Sequence, residues 1–548
     1  MAEPSSAGAK APAGTGGLVL AAAIVAFGFF GSRLLGVVRT MAIASAFGAS
    51  PELDAYWVAF RVPDLIFQVL AGATLGSAFI PVFARLYRRE SEDEAWGLAS
   101  NVLNLVTAAT AALCVVAFVL APLLVPLLAP GLGKDIGRHD ELTAKAVSLT
   151  RLMLLSPLLF AMSGMVTGIL NARQRFLLPA LAPMFYNVAI ILGALLLSGP
   201  FGVNGLAIGV IAGAGLHLCV QVPGLVREGM RWRPTFDWRE SHVREVARLM
   251  GPRVIGLAAA QVNFLVTTYF ASRIGASAIS NLTYAWLLAG LPLALFGMAL
   301  STAVFPRLAE HAAAEDSDAL TSTVSQVLRI IMFLTIPAAL GLVLLREPIT
   351  VLLLQRGQFT SADATITATA LGLYCLGIVP QAGIEIHSRG FYAMGDTRTP
   401  VTLAVVAVGV NFVLSAMLWG HFQHKGLAFA VSAAAWVEWT ALYIAYVRRT
   451  GAGILADLHA IAEFAICGAV MALFIAVSLA LFKTGTPFQN GVAAVAGAVA
   501  GAAVYAGLAH YLQVPELSSA VDRIRERLHP TAMPASTEAA ETELLEMH

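Results

Sequence analysis

The sequence predicts an all-α polytopic membrane protein with about 14 transmembrane helices: two six-helix lobes related by a parallel repeat, plus two C-terminal helices. Three observations carry this. Of 548 residues, 58% are hydrophobic and only 12% charged, and the mean hydropathy is +0.77. A soluble domain is nearer half apolar and a quarter charged. Apolar runs of spanning length, about 20 residues, follow one another between Gly/Pro breaks and charge clusters. Finally, the chain resembles itself at an offset of roughly 220 residues.

Taken in order, MAEPSSAGAKAPAGTGG is small and polar, and reads as a disordered tail over 1–16. The apolar run behind it is longer than a signal-peptide core and shows no cleavage site. Spans begin near Gly17, Asp54, Trp96, Leu142, Leu178 and Val203, forming a first lobe over 17–232. Those near Val246, Ala278, Thr323, Thr365, Pro400 and Gly426 form a second lobe over 233–450. Two more begin near His459 and Gly491, within 451–515, and 516–548 reads as a polar, acidic cytoplasmic tail. No segment alternates like a barrel strand.

The repeat is explicit. GILNARQRFLLPALAPMFYN resembles GFYAMGDTRTPVTLAVVAVGVN, Gly205-Leu206-Ala207-Ile208 recurs as Gly426-Leu427-Ala428-Phe429, and Phe47-Gly48-Ala49-Ser50 as Ile274-Gly275-Ala276-Ser277. Six spans separate equivalents, so both copies run in the same membrane sense. Lys/Arg placement sets orientation. With the N-terminus inside, Arg85, Arg88, Arg89, Arg173, Arg175, Arg227, Arg231, Arg233, Arg239, Arg244, Arg448 and Arg449 fall inside. Lys134, Arg138, Lys145, Arg273, Arg356, Lys425 and Lys483 fall outside, so both termini are expected in the cytoplasm. The long inside connection REGMRWRPTFDWRESHVREVAR is expected to be partly an amphipathic surface helix.

Several classes of function are excluded or unsupported. A net charge of +1 without a long basic run gives no reason to expect nucleic acid. There is no G-x-x-x-x-G-K-[ST] motif and no soluble catalytic domain, so neither an ATP-driven pump nor an enzyme is expected. Cys114, Cys219, Cys375 and Cys467 are far apart within apolar segments, which suits small buried hydrophobes, and no metal or cofactor is expected.

The informative residues are charges inside spans, since a central Arg or Asp costs about 2.5–3.5 kcal/mol on insertion scales. SRLLGVVRT places Arg33 and Arg39 in the first helix. They are separated by about 9 Å of rise and 120° of azimuth, and Gly31 and Gly36 are places where the helix could bend to bring them together. One of them could snorkel to a headgroup, or both could face a cationic cavity, since a guanidinium pairs bidentately with phosphate. The second helix holds Asp54 near its outer end, where it caps that helix or pairs with an arginine, and Arg61 and Asp64, which flank Pro63 and could pair locally. Arg253 follows Gly251-Pro252 in the seventh helix, and Glu385 and Arg389 in the tenth form a possible same-face ion pair. Glu438 and Glu463 have no evident partner.

These residues in this order resemble the MurJ (MviN) family of lipid II flippases, within the multidrug/oligosaccharidyl-lipid/polysaccharide exporter superfamily. The carrying stretches are SRLLGVVRT, FGASPELDAYWVAFRVPDLIFQ, SAFIPVFARL, NARQRFLLPALAPMFYN, LMGPRVIGL, QRGQFTSADA and GFYAMGDTRTP. The resemblance implies two lobes around a central cavity and a lipid-tail groove on the last two helices. It implies movement of undecaprenyl-diphosphate-linked peptidoglycan precursor, lipid II, across a bacterial inner membrane, with the bilayer as the other partner. It also implies substrate-binding roles for Arg33, Arg39 and Asp54; Arg61 and Arg253 are added here as further cations, and Glu385 and Arg389 as a second-lobe polar pair.

The sequence departs from the family pattern in four places. Thr40 stands where an acidic residue is expected, Phe67 and Gln68 where an arginine is, and Tyr284 to Pro292 carries no charge. Asn411 matches a sodium-site residue of some members, but Ser415 replaces its Asp partner, so ion coupling does not carry over. Export of another polyprenyl-linked glycan, a non-transporting membrane scaffold and a drug antiporter are the competing readings.

Overall fold

The computed structural model describes residues 15–71, 73–89, 91–451, 454–481 and 486–518; within these, the side chains of 15–22, 71–77, 89, 251–260, 454–456, 481 and 487 fall outside the description. The tails expected over 1–16 and 516–548 therefore lie outside the described residues, apart from 15–16 and 516–518. Among the described residues there is no strand.

The first half comprises α1 (Thr15–Phe47), α2 (Pro51–Ile66), a π-helical turn (Phe67–Ala71), α3 (Ala73–Arg89), α4 (Glu92–Leu128), α5 (His139–Met153), α6 (Leu155–Ala172), α7 (Leu177–Leu196), α8 (Ser198–Phe201), α9 (Val203–Cys219) and α10 (Val222–Arg227). The start of α2 is locally encoded. Ser50 accepts from the Leu53 N–H at 3.2 Å, Pro51 tolerates the missing N–H, and Glu52 and Asp54 oppose the helix dipole. Pro63 leaves the Ala59 carbonyl without its helical donor, and Thr150 of α5 donates to it at 3.4 Å.

The second half comprises α11 (Ser241–Ile274), α12 (Ala278–Pro292), a π-helical turn (Leu293–Met298), α13 (Ala299–Ala313), α14 (Ser317–Leu344), α15 (Arg346–Leu354), α16 (Ser361–Cys375), α17 (Ile378–Ala393) and α18 (Arg398–Thr450). The π-turn recurs 226 positions on (67 to 293), so the sequence repeat is also a repeat of local irregularity. Such turns mark functional bends more often than chance. Then α19 (Ile454–Leu481) packs on α14, and α20 (Pro487–Tyr511) packs on α15 and α19.

Ten helices among the described residues are long and apolar enough to cross a membrane, or eleven with the α16–α17 pair, bent by 42°, taken as one span. The expected count of about 14 is not reached, for identifiable reasons. The second expected span is split into pieces of 16 and 17 residues by its π-turn. The seventh includes 251–260. The eleventh and twelfth are merged into 53 residues across a kink at Gln423, where φ is 48°. Every expected span start nevertheless falls on a helix. Within the inside connection 230–240 is irregular and 241–248 is helical, the start of α11.

One buried apolar cluster joins the halves at the end predicted to face outside, uniting Ala44, Leu53 and Tyr56 with Leu282, Tyr284, Phe359 and Leu371. Gly48 (φ 61°) and Gly357 (φ 58°) interlock there: a Cβ on Gly48 would strike the Gln358 carbonyl, and one on Gly357 the Ser45 carbonyl. The Gln358 N–H donates to Ser45 O at 2.9 Å, and the Tyr284 hydroxyl to Gly48 O at 3.0 Å. This is the physical reason for glycine in both FGAS and QRGQFT.

Candidate functional site

Arg33 and Arg39 stand on one continuous helix, with no break at Gly31 or Gly36. Both nevertheless line a single cavity of about 400 Å³ between α1, α7 and α12. Arg33 is exposed, with its guanidinium 5.2 Å from the Phe29 ring centre; Arg39 is half-buried. Thr40 is buried and donates to the Gly36 carbonyl at 3.0 Å, so its hydroxyl is spent within α1. Asn187 of α7 donates to Pro183 O at 2.9 Å and toward Ser32, while its Oδ1 is buried without a partner at the cavity wall.

Arg39 also borders the central cavity, of about 440 Å³, which separates the two halves. Its first-half wall is Trp57, Phe60, Arg61 and Asp64; the second half contributes Asn263, Phe264, Thr268, Thr283, Trp286, Tyr374, Gln381 and Glu438. The local Arg61–Asp64 pair is not formed. Arg61 Nε instead donates across the cavity to Thr268 Oγ1 at 3.1 Å, and its guanidinium lies 5.3 Å from the Phe264 ring centre. Trp286 meets Phe264 and Tyr374 edge-on at 5.5 and 5.4 Å, and the Trp57 Nε1–H is buried without a partner. A third cavity, of about 410 Å³, runs from Arg39 and Asp64 to Tyr186 and His217 within the first half.

Arg33, Arg39 and Arg61 therefore border adjoining spaces, and among the described residues none of them has a carboxylate within ion-pair distance. Asp64 and Glu438 lie on the same walls, so the surface is polar with separated charges rather than uniformly cationic. Guanidiniums whose donors are unspent suit a planar oxyanion such as phosphate.

Asp54 does not share this position. It is 1% exposed, absent from the cavity walls, and accepts from the Ser280 N–H at 2.7 Å and its Oγ–H at 2.5 Å. It does not make the expected cap on its own helix, because Ser50 fills that place; it caps α12 of the other half instead. Glu385 and Arg389 do pair, at 2.5 Å, and Arg389 also donates to Thr302 Oγ1 at 2.8 Å; neither lines the central cavity. The Arg253 side chain lies outside the described residues. Asn411 donates to Asn263 Oδ1 at 3.1 Å and Ser415 to Asn411 Oδ1 at 3.2 Å, a closed network without a carboxylate. Among the described residues, no three His, Cys, Asp or Glu side chains gather as metal ligands.

Reasoning from sequence missed Trp57, Thr268, Trp286 and Gln381. On the second-half wall only Glu438 carried a signal, as an unpartnered charge in a span. Thr268 has none, because a threonine in an apolar helix ordinarily bonds its own backbone, as it also does here to Phe264 O at 2.8 Å.

The end predicted to face inside is built from polar ties. Ser100, Asn101 and Asn104 of α4 hold the backbone of the 231–237 strap, with Asn101 reaching Asp237 O at 2.9 Å and Asn104 reaching Arg233 O at 2.8 Å. Arg85 pairs with Glu245 at 2.5 Å, and Glu228 takes Arg173 and Arg175 at 2.8 and 2.6 Å. Burial works to raise the Glu228 carboxyl, but hydrogen bonds from Arg175 and Arg173 outweigh it and hold the group below its ordinary value.

A solved structure described as "Lipid II flippase MurJ, inward closed conformation" superposes with a TM-score of 0.75 at 25% identity, over 90% of this chain and 99% of that one. An inward-facing multidrug resistance MATE family transporter of the MOP superfamily shares the fold at a TM-score of 0.63 and 15% identity, covering 77% of this chain and 95% of that one. The "Lipid II flippase MurJ" of Burkholderia cenocepacia is 32% identical over 424 residues, 76% of this chain and 81% of that protein. The "Probable lipid II flippase MurJ" of Rhizobium meliloti is 28% identical over 532 residues, 93% and 97% of the two chains. The family described as "Lipid II flippase MurJ" matches residues 43–493, and the chain belongs to that family.

Proposed function

We propose that this protein is a lipid II flippase, moving the undecaprenyl-diphosphate-linked peptidoglycan precursor from the inner to the outer leaflet of the bacterial inner membrane by alternating access. The observation that carries the reading is the set of Arg33, Arg39 and Arg61 around adjoining cavities between the halves, none of them in an ion pair among the described residues. Family membership supplies the substrate class.

In this reading, residues 17–232 and 233–450 act as two lobes, 451–515 carries the lipid-tail groove, and both termini are cytoplasmic. Arg33 and Arg39 bind the diphosphate; a bidentate guanidinium contact aligns it without covalent chemistry. Arg61 shares its donors between Thr268 and the substrate, so binding is felt by both halves. Trp57 and Trp286 offer apolar faces, and Asn187, Gln381 and Glu438 offer hydrogen-bonding groups, to a sugar–peptide headgroup. The Asp54–Ser280 contact and the Gly48–Gly357 interlock hold the outer end shut while the inner end loads. Exchanging these ties for inner ones, such as those around the 231–237 strap, releases the headgroup outward.

The same diphosphate chemistry would serve another polyprenyl-linked glycan, and the uncharged α12 wall (Thr283, Trp286, Leu287) favours keeping that alternative. The test is rescue of cells depleted of their lipid II flippase, with outer-leaflet accessibility of labelled lipid II as readout. Rescue that is lost in R39A supports the proposal. Rescue of a surface-polysaccharide defect alone selects the alternative glycan, and no binding of any polyprenyl diphosphate selects a scaffold.

A further inference from the structure

Arg151 is a further intramembrane cation, on the lateral face of the first half, away from the cavities above. Positions 140, 143, 144, 147, 148 and 151 of α5 share one helical face. Together with Phe118 and Pro122 of α4 they line an open groove of about 520 Å³. Pro122 has no N–H, so the Phe118 carbonyl loses its helical donor. Arg151 fills that role: its Nε donates to Phe118 O at 3.1 Å, and the guanidinium lies 4.9 Å from the Phe118 ring centre.

That accounts for one of five N–H groups. Among the described residues the two Nη groups make no hydrogen bond, and no carboxylate lies within ion-pair distance. Unspent donors at membrane depth are costly unless a polar group reaches them. Thr143 Oγ1, on the same wall, is buried without a partner. At the other end of the groove Asp140 is exposed and unpaired, whereas its neighbour Glu141 is held by Arg138 at 2.6 Å.

We propose that this groove binds one aminophospholipid, with its phosphate on the Arg151 Nη groups and its ammonium on Asp140. Charge order is the argument. Helix α5 starts at the 129–138 loop and runs into the hydrophobic layer, so the carboxylate sits at the rim and the guanidinium deeper. An aminophospholipid has the same polarity, ammonium outermost and phosphate below. The Cα atoms are about 16 Å apart along the helix. The arginine stem leans back toward the helix N-terminus, farther than the shorter Asp140 stem leans the same way, which narrows that gap toward the length of an extended phosphoethanolamine. The exposed Phe118 and Pro122 surface continues the groove toward the acyl chains. This site does not depend on what the central cavity carries.

The test is native mass spectrometry of the full-length protein extracted from bilayers holding equal phosphatidylethanolamine, phosphatidylglycerol and phosphatidylcholine. Wild type is expected to retain one phosphatidylethanolamine per chain, several-fold over the other two. Asp140→Asn removes no side-chain hydrogen bond or ion pair among the described residues and should bring phosphatidylethanolamine and phosphatidylglycerol to parity with a phospholipid still bound. Arg151→Gln should lose the retained lipid, and Arg151→Lys should regain part of it. Should Arg151→Gln fail to fold, Asp140→Asn and Arg151→Lys decide. Retention in the bilayer ratio by wild type, or an undiminished preference in Asp140→Asn, overturns the proposal.

Discussion

Asp54 accepts two hydrogen bonds from Ser280, a residue 226 positions away, and so completes a helix that does not complete itself. In the first repeat, Ser50 caps α2 with its own side chain. Its counterpart Ser277 is left-handed (φ 69°) and makes no such bond. The α12 donor at Ser280 is satisfied by Asp54 instead. The two halves are thus joined where the repeat is broken.

Asp54→Ala should loosen the outer closure. A hydrogen bond to a charged group is worth about 1.5–3 kcal/mol, so losing even one shifts an opening equilibrium about tenfold or more. A cysteine introduced at Thr283, on the cavity wall, should then react faster with an impermeant maleimide from outside. Ser280→Ala keeps the N–H bond and should have a smaller effect. Equal labelling in all three proteins would show that the contact does not gate.

Arg39→Ala should weaken polyprenyl-diphosphate binding more than Arg33→Ala, because Arg39 borders all three cavities whereas Arg33 borders one. Losing a charge-assisted contact of about 2 kcal/mol corresponds to roughly 30-fold in affinity. Arg39→Lys should restore charge without the planar fork and recover only part of it. Titration of purified protein with a fluorescent polyprenyl diphosphate measures this; an unchanged affinity in Arg39→Ala refutes the assignment.

Gly357→Ala should cost stability at the outer end, since it combines a left-handed backbone with a clash against the Ser45 carbonyl. About 1–3 kcal/mol is expected, read as a lower thermal midpoint. Gly395→Ala has a similar φ of 75° but meets nothing within 4 Å, so it separates backbone strain from the clash. Equal losses in the two variants would leave the interlock without energetic content.

Glu228→Gln should change the acid limb of stability. The folded carboxyl is held below its unfolded value, so its contribution is fully present above the unfolded pKa, near 4.3, and fades as pH falls through the lower folded one. The wild type should lose stability over that acid window, and Glu228→Gln should be flatter there and less stable at neutral pH by about 1 kcal/mol. Parallel curves from pH 3 to 7 would contradict this.

Much of the candidate site was legible in SRLLGVVRT: two costly charges in one helix, both found on a cavity. Arg61 was legible as a charge but not as a bridge. Local spacing favoured Asp64, three residues on, whereas the side chain crosses to Thr268, 207 positions away. Asp54 was expected to cap its own helix, whose cap is Ser50, and the helix it does cap is one that no local rule could select. Glu385 and Arg389 met because four residues along a helix bring side chains together without tertiary help.

Composition and period alone established a membrane-embedded all-helical chain, the starts of its spans and its internal repeat. Hydropathy and helical spacing are properties of consecutive residues, and the bilayer enforces them whatever the packing. Packing settled which charges share a cavity, which helix Asp54 caps and why Arg151 reaches the Phe118 carbonyl. Each of those depends on a partner from another helix, and the spacing of residues along the chain does not say which helices become neighbours.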